Sequence, residues 1–541
     1  MKHICAVAIL ISAFFAPVFA QQTEVLPAPQ EQEAEPAKEQ QTQDLLNETL
    51  DEKQPAESAE NTIDNATAEN AAIAANDTEE ELTPEAEKAA EEHEGAPHLD
   101  GANLSLAWAI PFVGILLSIA LFPLINPHFW HDHYGKISLC WGALFFLAFT
   151  IGKGPSMSFF YLIEVMFLEF IPFIVLLLAL FTVAGGIQIK GEFVGTPRLN
   201  IILILIGGFL ASWMGTTGAA MLMIRPLIRA NSWRKYKTHT VVFFIFITAN
   251  IGGCLTPLGD PPLFMGFLKG VSFFWTTKHL LVPMLTTFAM LTAVYFMLDT
   301  YYFKKEQGKL EISPRGEKFS LEGKRNLILL PLIPMAVLVS SLDLGVAFTL
   351  HHVAVPSASV LQVMLLLAIT YISIRITPKK VRDGNEFSWE PIREVGKLFA
   401  TIFITMVPPI AMLKAGVEGP LGGLISSLTD ANGEFITSNF FWATGMLSSF
   451  LDNAPTYVIF FNTAGGNPVT LMGAQAQTLL AISMGAVFMG ANTYIGNAPN
   501  FMVKSIAEEQ GVPMPSFFGY IFKYSLVFLV PTFIILTFVF F

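Results

Sequence analysis

A polar, helix-breaking motif occurs twice in this chain, each time within sequence apolar enough for a lipid bilayer. Residues 210–218 (LASWMGTTG) match residues 447–455 (LSSFLDNAP), which lie 237 positions later. Residues 258–264 (LGDPPLF) match residues 495–501 (IGNAPNF) at the same offset. Backbone that leaves a helix inside a bilayer must be satisfied by protein or by a water-filled cavity. Paired interruptions in two halves of a chain predict the binding site of a secondary transporter.

An Ala-Asn pair stands before each copy of the second motif. Ala249 and Asn250 precede the first copy, and Ala491 and Asn492 precede the second. If the two Ala-Asn pairs are equivalent, the first copy has five more residues than the second between this pair and the motif that follows it.

The composition of the 541-residue chain is that of a polytopic membrane protein. Hydrophobic residues make up 53% and charged residues 14%, far from the average of soluble domains. Segments of about 20 apolar residues are long enough to cross the hydrocarbon core. They predict an all-α fold with crossings near 104–125, 137–152, 158–184, 239–268, 278–303, 326–341, 357–377, 395–415, 475–505 and 516–541. Residues 199–229 and 437–464 are each interrupted in the middle and predict re-entrant hairpins.

The N-terminal hundred residues differ from the rest. Residues 1–20 have a short basic start, an apolar stretch and small residues before Gln21, which predicts a signal peptide. An uncleaved anchor helix is the alternative. Residues 21–100 contain 23 Asp and Glu, 3 Lys and no aromatic residue, which predicts a disordered acidic tail. Together these features indicate a multi-pass protein of the bacterial inner membrane with an extracytoplasmic tail.

The placement of basic residues supports this topology. With ten crossings and two hairpins, 23 of the 27 Lys and Arg after residue 100 fall on the cytoplasmic side, as the positive-inside rule requires. The exceptions are Lys153, Lys269, Lys278 and Lys414. Each half then has five crossings and one hairpin, and an odd number of crossings inverts the second half relative to the first. We therefore expect inverted-topology repeats over 101–303 and 326–541, joined by a basic cytoplasmic linker at 304–325.

The interrupted segments contain the residues expected to bind a ligand. Two acids stand at these breaks, Asp260 in the first half and Asp452 in the second. The candidate binding residues are Thr216, Thr217, Asn250, Asp260, Asp452, Asn453, Asn492, Thr493 and Asn497. Burying an acidic side chain within a membrane costs free energy, and such residues are usually functional. Both acids could instead cap half-helices. Hydroxyl, amide and carboxylate oxygens suit Na⁺ or an exchangeable proton, whereas converging helix N-termini suit an anion.

Other classes of function find less support in the sequence. Glu169, deep in the third crossing, is a candidate proton relay. The chain has no Walker, Rossmann, zinc or nucleophile-elbow motif. We therefore expect no enzymatic activity, no cofactor and no metal beyond Na⁺. The expected partners are membrane lipid and a small cation or carboxylate, without nucleic acid.

Two segments resemble a known group of transporters. Residues 248–260 (TANIGGCLTPLGD) and 496–504 (GNAPNFMVK) resemble the ion transporter superfamily, in particular NhaD-type sodium/proton antiporters and related citrate transporter-like proteins. The resemblance covers residues 101–541. It implies a scaffold domain and a transport domain that contains both hairpins. It also implies alternating access to the binding site by an elevator-like or rocking motion, and a homodimer. It also implies that Asp260 and Asp452 take Na⁺ and protons.

The sequence departs from that resemblance at two places. Asp260 is followed by Pro261 and Pro262, as in the citrate transporter-like branch, and the Ser-Asn-Thr signature of dicarboxylate members is absent. Two acids at duplicated breaks, with no obvious basic partner for an anion, make sodium/proton antiport the first hypothesis. Cation-coupled citrate or carboxylate transport is the second. An ion channel or an intramembrane enzyme is the third.

Overall fold

A computed structural model describes residues 97–191, 193–306 and 320–541. The predicted signal peptide, nearly all of the acidic tail and most of the basic linker lie outside these residues. The described chain is mainly helical.

The first half contains nine helices and one short strand among its described residues. They are α1 (Ile110–Ile125), α2 (Pro127–Lys153), α3 (Pro155–Glu164), α4 (Ile171–Ala184), β1 (Gln188–Lys190), α5 (Pro197–Met214), α6 (Thr216–Ala230), α7 (Thr238–Ile247), α8 (Pro261–Leu268) and α9 (Trp275–Glu306). A 3₁₀ turn, Leu106–Ala109, precedes α1, a π-helical turn, Val165–Phe170, joins α3 to α4, and a 3₁₀ turn, Ile251–Cys254, lies between α7 and α8.

The second half has the same kinds of element. They are β2 (Ser320–Glu322), α10 (Asn326–Leu329), α11 (Leu332–Leu338), β3 (Val346–Leu350), β4 (Val353–Pro356), α12 (Ser357–Ile376), α13 (Lys379–Gly384), α14 (Glu390–Thr405), α15 (Val407–Lys414), α16 (Gly422–Ser426), α17 (Thr437–Phe450), α18 (Asn453–Thr463), α19 (Pro468–Met472), α20 (Ala476–Met489), α21 (Ala498–Glu509), α22 (Phe517–Tyr520) and α23 (Val530–Phe540). Short 3₁₀ turns occupy Val339–Ser341, Gly416–Glu418 and Gly490–Asn492, and a π-helical segment, Ile521–Leu529, joins α22 to α23.

The helices confirm an all-α polytopic membrane protein. Among the described residues, seven helices are long and apolar enough to cross a membrane, and the bent pair α14–α15 makes eight. One of the seven, α5, is the first arm of a predicted hairpin. The other six and the bent pair match predicted crossings, and the remaining three crossings correspond to shorter apolar helices. Helix α2 begins at Pro127, ten residues before the predicted start, because Asn126 caps it and proline fits its first turn.

Both hairpins reverse direction at a break. Helix α5 ends at Met214, and Gly215 follows it with a φ of 80°, in the left-handed region that glycine tolerates. Asn200, near the start of α5, exchanges side-chain hydrogen bonds of 3.0 and 2.8 Å with Asn231, which follows α6. In the second hairpin, the rings of Phe440 and Phe460 lie 6.4 Å apart at the open end of α17 and α18. The two ends of each hairpin are therefore neighbours, as a re-entrant path requires.

The helices pack as two groups. In the first group, α2 packs on α1 and α14, and α4 packs on α12 and α14. In the second group, the α5–α6 hairpin packs with α7, α9 and α21, and the α17–α18 hairpin packs with α8 and α20. Helices α8 and α9 also contact α20, and α23 packs on α9. The groups meet where α6 contacts α4 and where α18 contacts α15. Both hairpins and both broken crossings thus belong to the same group.

Two short antiparallel sheets complete the described fold. Strand β1, after α4, pairs with β2, which lies near the end of the linker, in the register Gln188 with Glu322. Lys190 and Glu322 strengthen this pairing with an ion pair of 2.8 Å. Strands β3 and β4 form a hairpin between α11 and α12. The first sheet fastens the end of the linker to the first half.

The hydrogen bonds of the two copies correct one part of the predicted alignment. Ser212 Oγ donates to Gly252 O at 2.5 Å, and Ser449 Oγ donates to Met489 O at 3.1 Å. Both members of the second bond lie 237 residues after those of the first, so no insertion separates the copies. Asn250 and Asn492 are therefore not equivalent, and the prediction of five additional residues was wrong.

Candidate ion-binding site

Asp260 is the centre of a buried polar cluster between the two halves. Its Oδ1 accepts hydrogen bonds from Thr216 Oγ1 at 3.2 Å and from Asn497 Nδ2 at 3.0 Å. Its Oδ2 accepts one from Asn453 Nδ2 at 2.5 Å. Only 1% of Asp260 is exposed, and its three partners are buried as well. The cluster thus brings together residues from both hairpins and both broken crossings.

The cluster is built from equivalent positions of the two copies. Thr216 and Asn453 are 237 residues apart, and so are Asp260 and Asn497. Each pair therefore contributes one residue from each half. The repeated sequence places its two copies face to face at this point, with a carboxylate from one copy and the matching amide from the other.

Local sequence explains why these side chains face the cluster. Gly215 ends α5, and Thr216 begins α6. Pro261 fixes the first turn of α8 and leaves Asp260 in extended backbone just before it. Asn497 stands at the same position before α21, and Asn453 begins α18. Four helices therefore start at the cluster, and helix N-termini carry partial positive charge.

The two acids play different parts. Asp452 Oδ1 accepts the backbone N–H of Ala454 at 3.1 Å, which is the cap proposed as the alternative to ion binding. Asp260 also precedes a helix, but its side chain bonds other side chains and caps no backbone N–H. Asp452 is partly exposed and directly precedes Asn453, which bonds Asp260. The geometry therefore makes Asp260 the central acid and Asp452 a neighbouring one.

A second layer of amides holds the cluster in place. Asn497 Nδ2 also lies 3.3 Å from Asn250 Oδ1, and Asn250 Nδ2 donates to Asn500 Oδ1 at 2.7 Å. Asn500 Nδ2 in turn donates to Gly490 O and Thr493 O, at 2.9 and 2.8 Å. Asn250 thus supports Asn497 and has no hydrogen bond to Asp260 itself. Asn500 was not predicted, although its amide within the second copy of the repeated motif could have indicated it.

Matching serine and threonine contacts attach each hairpin to its broken crossing. Thr256 Oγ1 donates to Ser212 O, and Thr493 Oγ1 donates to Ser449 O at 2.5 Å. Asn492 Nδ2 donates to Ser449 Oγ at 2.9 Å. Asn492 and Thr493 therefore position the second hairpin and do not contact Asp260.

Two predicted residues lie apart from the cluster. Thr217 is partly exposed, and the hydroxyl that reaches Asp260 belongs to its neighbour Thr216. Glu169 lies in the π-helical turn of the first packing group, where its Oε1 is 3.0 Å from Lys269 Nζ. Its side chain is 21% exposed. Glu169 therefore joins the two packing groups at some distance from the Asp260 hydrogen bonds.

The cluster has an unused oxygen ligand and no basic side chain among its hydrogen-bonded members. Asn453 Oδ1 is buried and has no hydrogen-bond partner within the described part of the chain. The same holds for Asn492 Oδ1, which lies beside Ser449 and outside the cluster. The side chains that bond Asp260 are all neutral. Buried polar atoms without partners are rare in folded proteins. Carboxylate, amide and hydroxyl oxygens are ligands that hard cations prefer.

The fold and this site define a multi-pass membrane transporter. Residues 101–541 match a protein family described as "Putative citrate transport". Because the match covers most of the chain, this protein belongs to that family.

Curated relatives agree with this class. An uncharacterized transporter of Mycobacterium tuberculosis and one of Mycobacterium bovis are each 25% identical to this chain over 328 residues. Each match covers 59% of this chain and 72% of the relative. A 46 kDa membrane protein of Mycobacterium leprae is 24% identical over 330 residues, with the same coverage.

Proposed function

We propose that this secondary transporter exchanges Na⁺ for protons by alternating access at the Asp260 cluster. The observation that carries the proposal is the setting of Asp260. Its carboxylate is almost fully buried, all three of its hydrogen-bond donors are neutral, and a buried amide oxygen of Asn453 lies unused beside it. A buried carboxylate without a basic partner needs a cation or a proton to offset its charge.

The same carboxylate accounts for exchange. Asp260 can hold Na⁺, with Thr216 Oγ1 and Asn453 Oδ1 as further ligands, or it can hold a proton. Both cations neutralise the same group, so binding of one favours release of the other. The transported ions are thus Na⁺ and H⁺, and the proposal assigns no cofactor and no catalytic residue. Asp452 would add negative charge near the entrance of the site.

The packing supports a moving transport domain. Both hairpins and both broken crossings pack in one group, while α1–α4, α12 and α14 form the other. Among the described residues, two ion pairs cross between the groups. Lys269 pairs with Glu169 at 3.0 Å, and Arg225 of α6 pairs with Glu386 at 2.5 Å. In this proposal the first group is a scaffold, and the inverted halves expose the cluster to each side of the bacterial inner membrane in turn.

Cation-coupled citrate or carboxylate transport is the second candidate. The four helix N-termini at the cluster favour it, because their partial positive charges suit an anion. The description of the family points the same way. A carboxylate would then bind next to Na⁺ held by Asp260. Arg225 has two buried nitrogens, Nε and Nη1, without partners in the described structure, but its charged contact is with Glu386.

Transport assays separate the two candidates. In everted membrane vesicles with an imposed proton gradient, Na⁺ should release protons and relieve quenching of a pH-sensitive dye. Citrate at the same concentration should not. In proteoliposomes, saturable uptake of labelled citrate that requires Na⁺ would favour the second candidate and contradict the first. Asp343→Asn, on an exposed turn, is a control for Asp260→Asn in both assays.

A further inference from the structure

A cavity separate from the Asp260 cluster lies beside the open end of the first hairpin. Its volume is about 470 Å³, and its lining residues are Lys235, Tyr236, Thr238, His239, Leu298, Tyr302, Pro513, Lys523, Tyr524 and Phe528. We propose that this cavity, which we call the phosphate cavity, binds the phosphate group of an anionic membrane lipid.

The charges of the phosphate cavity favour an anion. Lys235 and Lys523 are exposed and line it, while no Asp or Glu is among the lining residues. Neither lysine has an ion-pair partner within the described chain. Lys305 adds positive charge nearby, since its Nζ lies 5.8 Å from the ring centre of Tyr236. Basic pockets between membrane helices on the cytoplasmic side are suited to anionic lipid head groups.

The remaining walls have the mixed character of a membrane interface. The hydroxyl groups of Tyr236, Tyr302 and Tyr524 can donate hydrogen bonds to phosphate oxygens. Leu298 and Phe528 form an apolar side. Tyr236 and Tyr302 stack with ring centres 5.1 Å apart, which makes a rigid aromatic wall. Tyrosine is enriched where one end of a site is apolar and the other is wet.

Apolar surface next to the cavity indicates a lipid as the source of the phosphate. On α9, Met297 is 65% exposed and Tyr301 is 57% exposed. On the π-helical segment, Phe522 is 63% exposed and Val527 is 52% exposed. Acyl chains can cover these side chains while the phosphate lies between Lys235 and Lys523. A soluble phosphate would leave these apolar side chains uncovered.

The phosphate cavity adjoins a buried ion network at the base of the first hairpin, in which Arg234 pairs with Asp299 and Glu306. His239, which lines the cavity, bonds Asp299 Oδ1 through Nε2 at 2.8 Å. Asp299 also accepts a hydrogen bond from Asn200 of α5, at 3.1 Å. A lipid bound here would therefore stabilise the base of the first hairpin, which belongs to the same packing group as the Asp260 cluster.

Lipid binding to the purified full chain tests the proposal. Native mass spectrometry and thermal unfolding in detergent should show that phosphatidylglycerol binds and stabilises the protein, whereas phosphatidylcholine does not. The variant K235Q/K523Q should bind phosphatidylglycerol roughly 25-fold more weakly, because each lysine near an anionic surface contributes a factor of about five. K379Q/K380Q, with two exposed lysines elsewhere, should bind like the unmodified protein.

Two results would overturn the proposal. Equal phosphatidylglycerol affinity in K235Q/K523Q and K379Q/K380Q would show that this cavity is not the lipid site. Inorganic phosphate could also stabilise the protein as much as phosphatidylglycerol does. If that stabilisation is lost in K235Q/K523Q, the cavity binds a soluble anion. Size-exclusion profiles of both variants verify that they are folded.

Discussion

Asn453 Nδ2 donates a 2.5 Å hydrogen bond to Asp260 Oδ2, although 193 residues separate the two in sequence. This bond joins the tip of the second hairpin to the break in the first broken crossing. Thr216, the equivalent of Asn453 in the first copy, bonds the other carboxylate oxygen. The repeated motif thus places one carboxylate between matching residues of its two copies, which leads to the following predictions.

Exchanging the acid and the amide should restore part of the activity. Asp260 and Asn497 hold equivalent positions and are hydrogen-bonded at 3.0 Å. We expect D260N alone to lose Na⁺-dependent proton release in vesicles and D260N/N497D to recover a measurable part of it. The single variant N497D should impair transport, because two carboxylates about 3 Å apart repel each other. A double variant as inactive as D260N would argue against equivalent roles for the two copies.

The hydroxyl of Thr216 should contribute to ion affinity. Thr216→Val keeps the shape of the side chain and removes its hydrogen bond to Asp260. Because a hydrogen bond to a charged group contributes about 1.5–3 kcal/mol, we expect the Na⁺ concentration for half-maximal transport to rise roughly tenfold to a hundredfold. Thr286→Val is the control, since its hydroxyl bonds the Val282 carbonyl of its own helix. Equal effects of the two substitutions would count against Thr216 as a ligand.

Gly259 should not tolerate a side chain. A Cβ at this position would lie 2.0 Å from the carbonyl oxygen of Gly253. Gly259→Ala must therefore displace the backbone next to Asp260, at a cost of about 3 kcal/mol. We expect lower thermal stability and no transport, whereas Gly423→Ala, which meets no atom within 4 Å, should leave both unchanged. Normal transport by Gly259→Ala would show that the break is less constrained than its contacts indicate.

The buried ion network should stabilise the base of the first hairpin. Arg234 Nη1 lies 2.6 Å from Asp299, and its Nε lies 3.0 Å from Glu306, with all three side chains at most 5% exposed. Arg234→Gln leaves two buried acids without their main partner, which typically costs about 3–5 kcal/mol. Lys504→Gln removes a surface pair with Glu508 and should cost about 0.5 kcal/mol. Thermal unfolding in detergent measures the stability of both variants. Similar melting temperatures for Arg234→Gln and Lys504→Gln would contradict the role assigned to the ion network.

The sequence predicted the helical architecture and the positions of the breaks well. Gly215 and Pro261 interrupt helices for reasons that are local, so their effect can be read without tertiary structure. The paired interruptions also predicted a site with candidate residues from both copies. Inverted orientation in the membrane and the domain boundaries stay predictions, because they rest on how charged residues are distributed along the sequence.

The finer contacts depended on packing that sequence alone does not give. Thr216 and Thr217 are chemically alike, and only the start of α6 decides which hydroxyl faces Asp260. The network of Arg234 and Asp299 was not predicted. Asp299 lies near the end of an apolar crossing, and an acid in that position is a recognised signal. Arg234 had contributed only to the count of cytoplasmic charges, since its buried partners are distant in sequence.

Equilibrium binding of ²²Na⁺ to the purified protein tests most directly whether Asp260 holds the transported cation. We predict saturable binding that weakens as the pH is lowered, because protons compete for the same carboxylate. D260N should lose this binding, while D343N should retain it with unchanged affinity. If folded D260N binds ²²Na⁺ with the affinity and pH dependence of the unmodified protein, Asp260 is not the cation site.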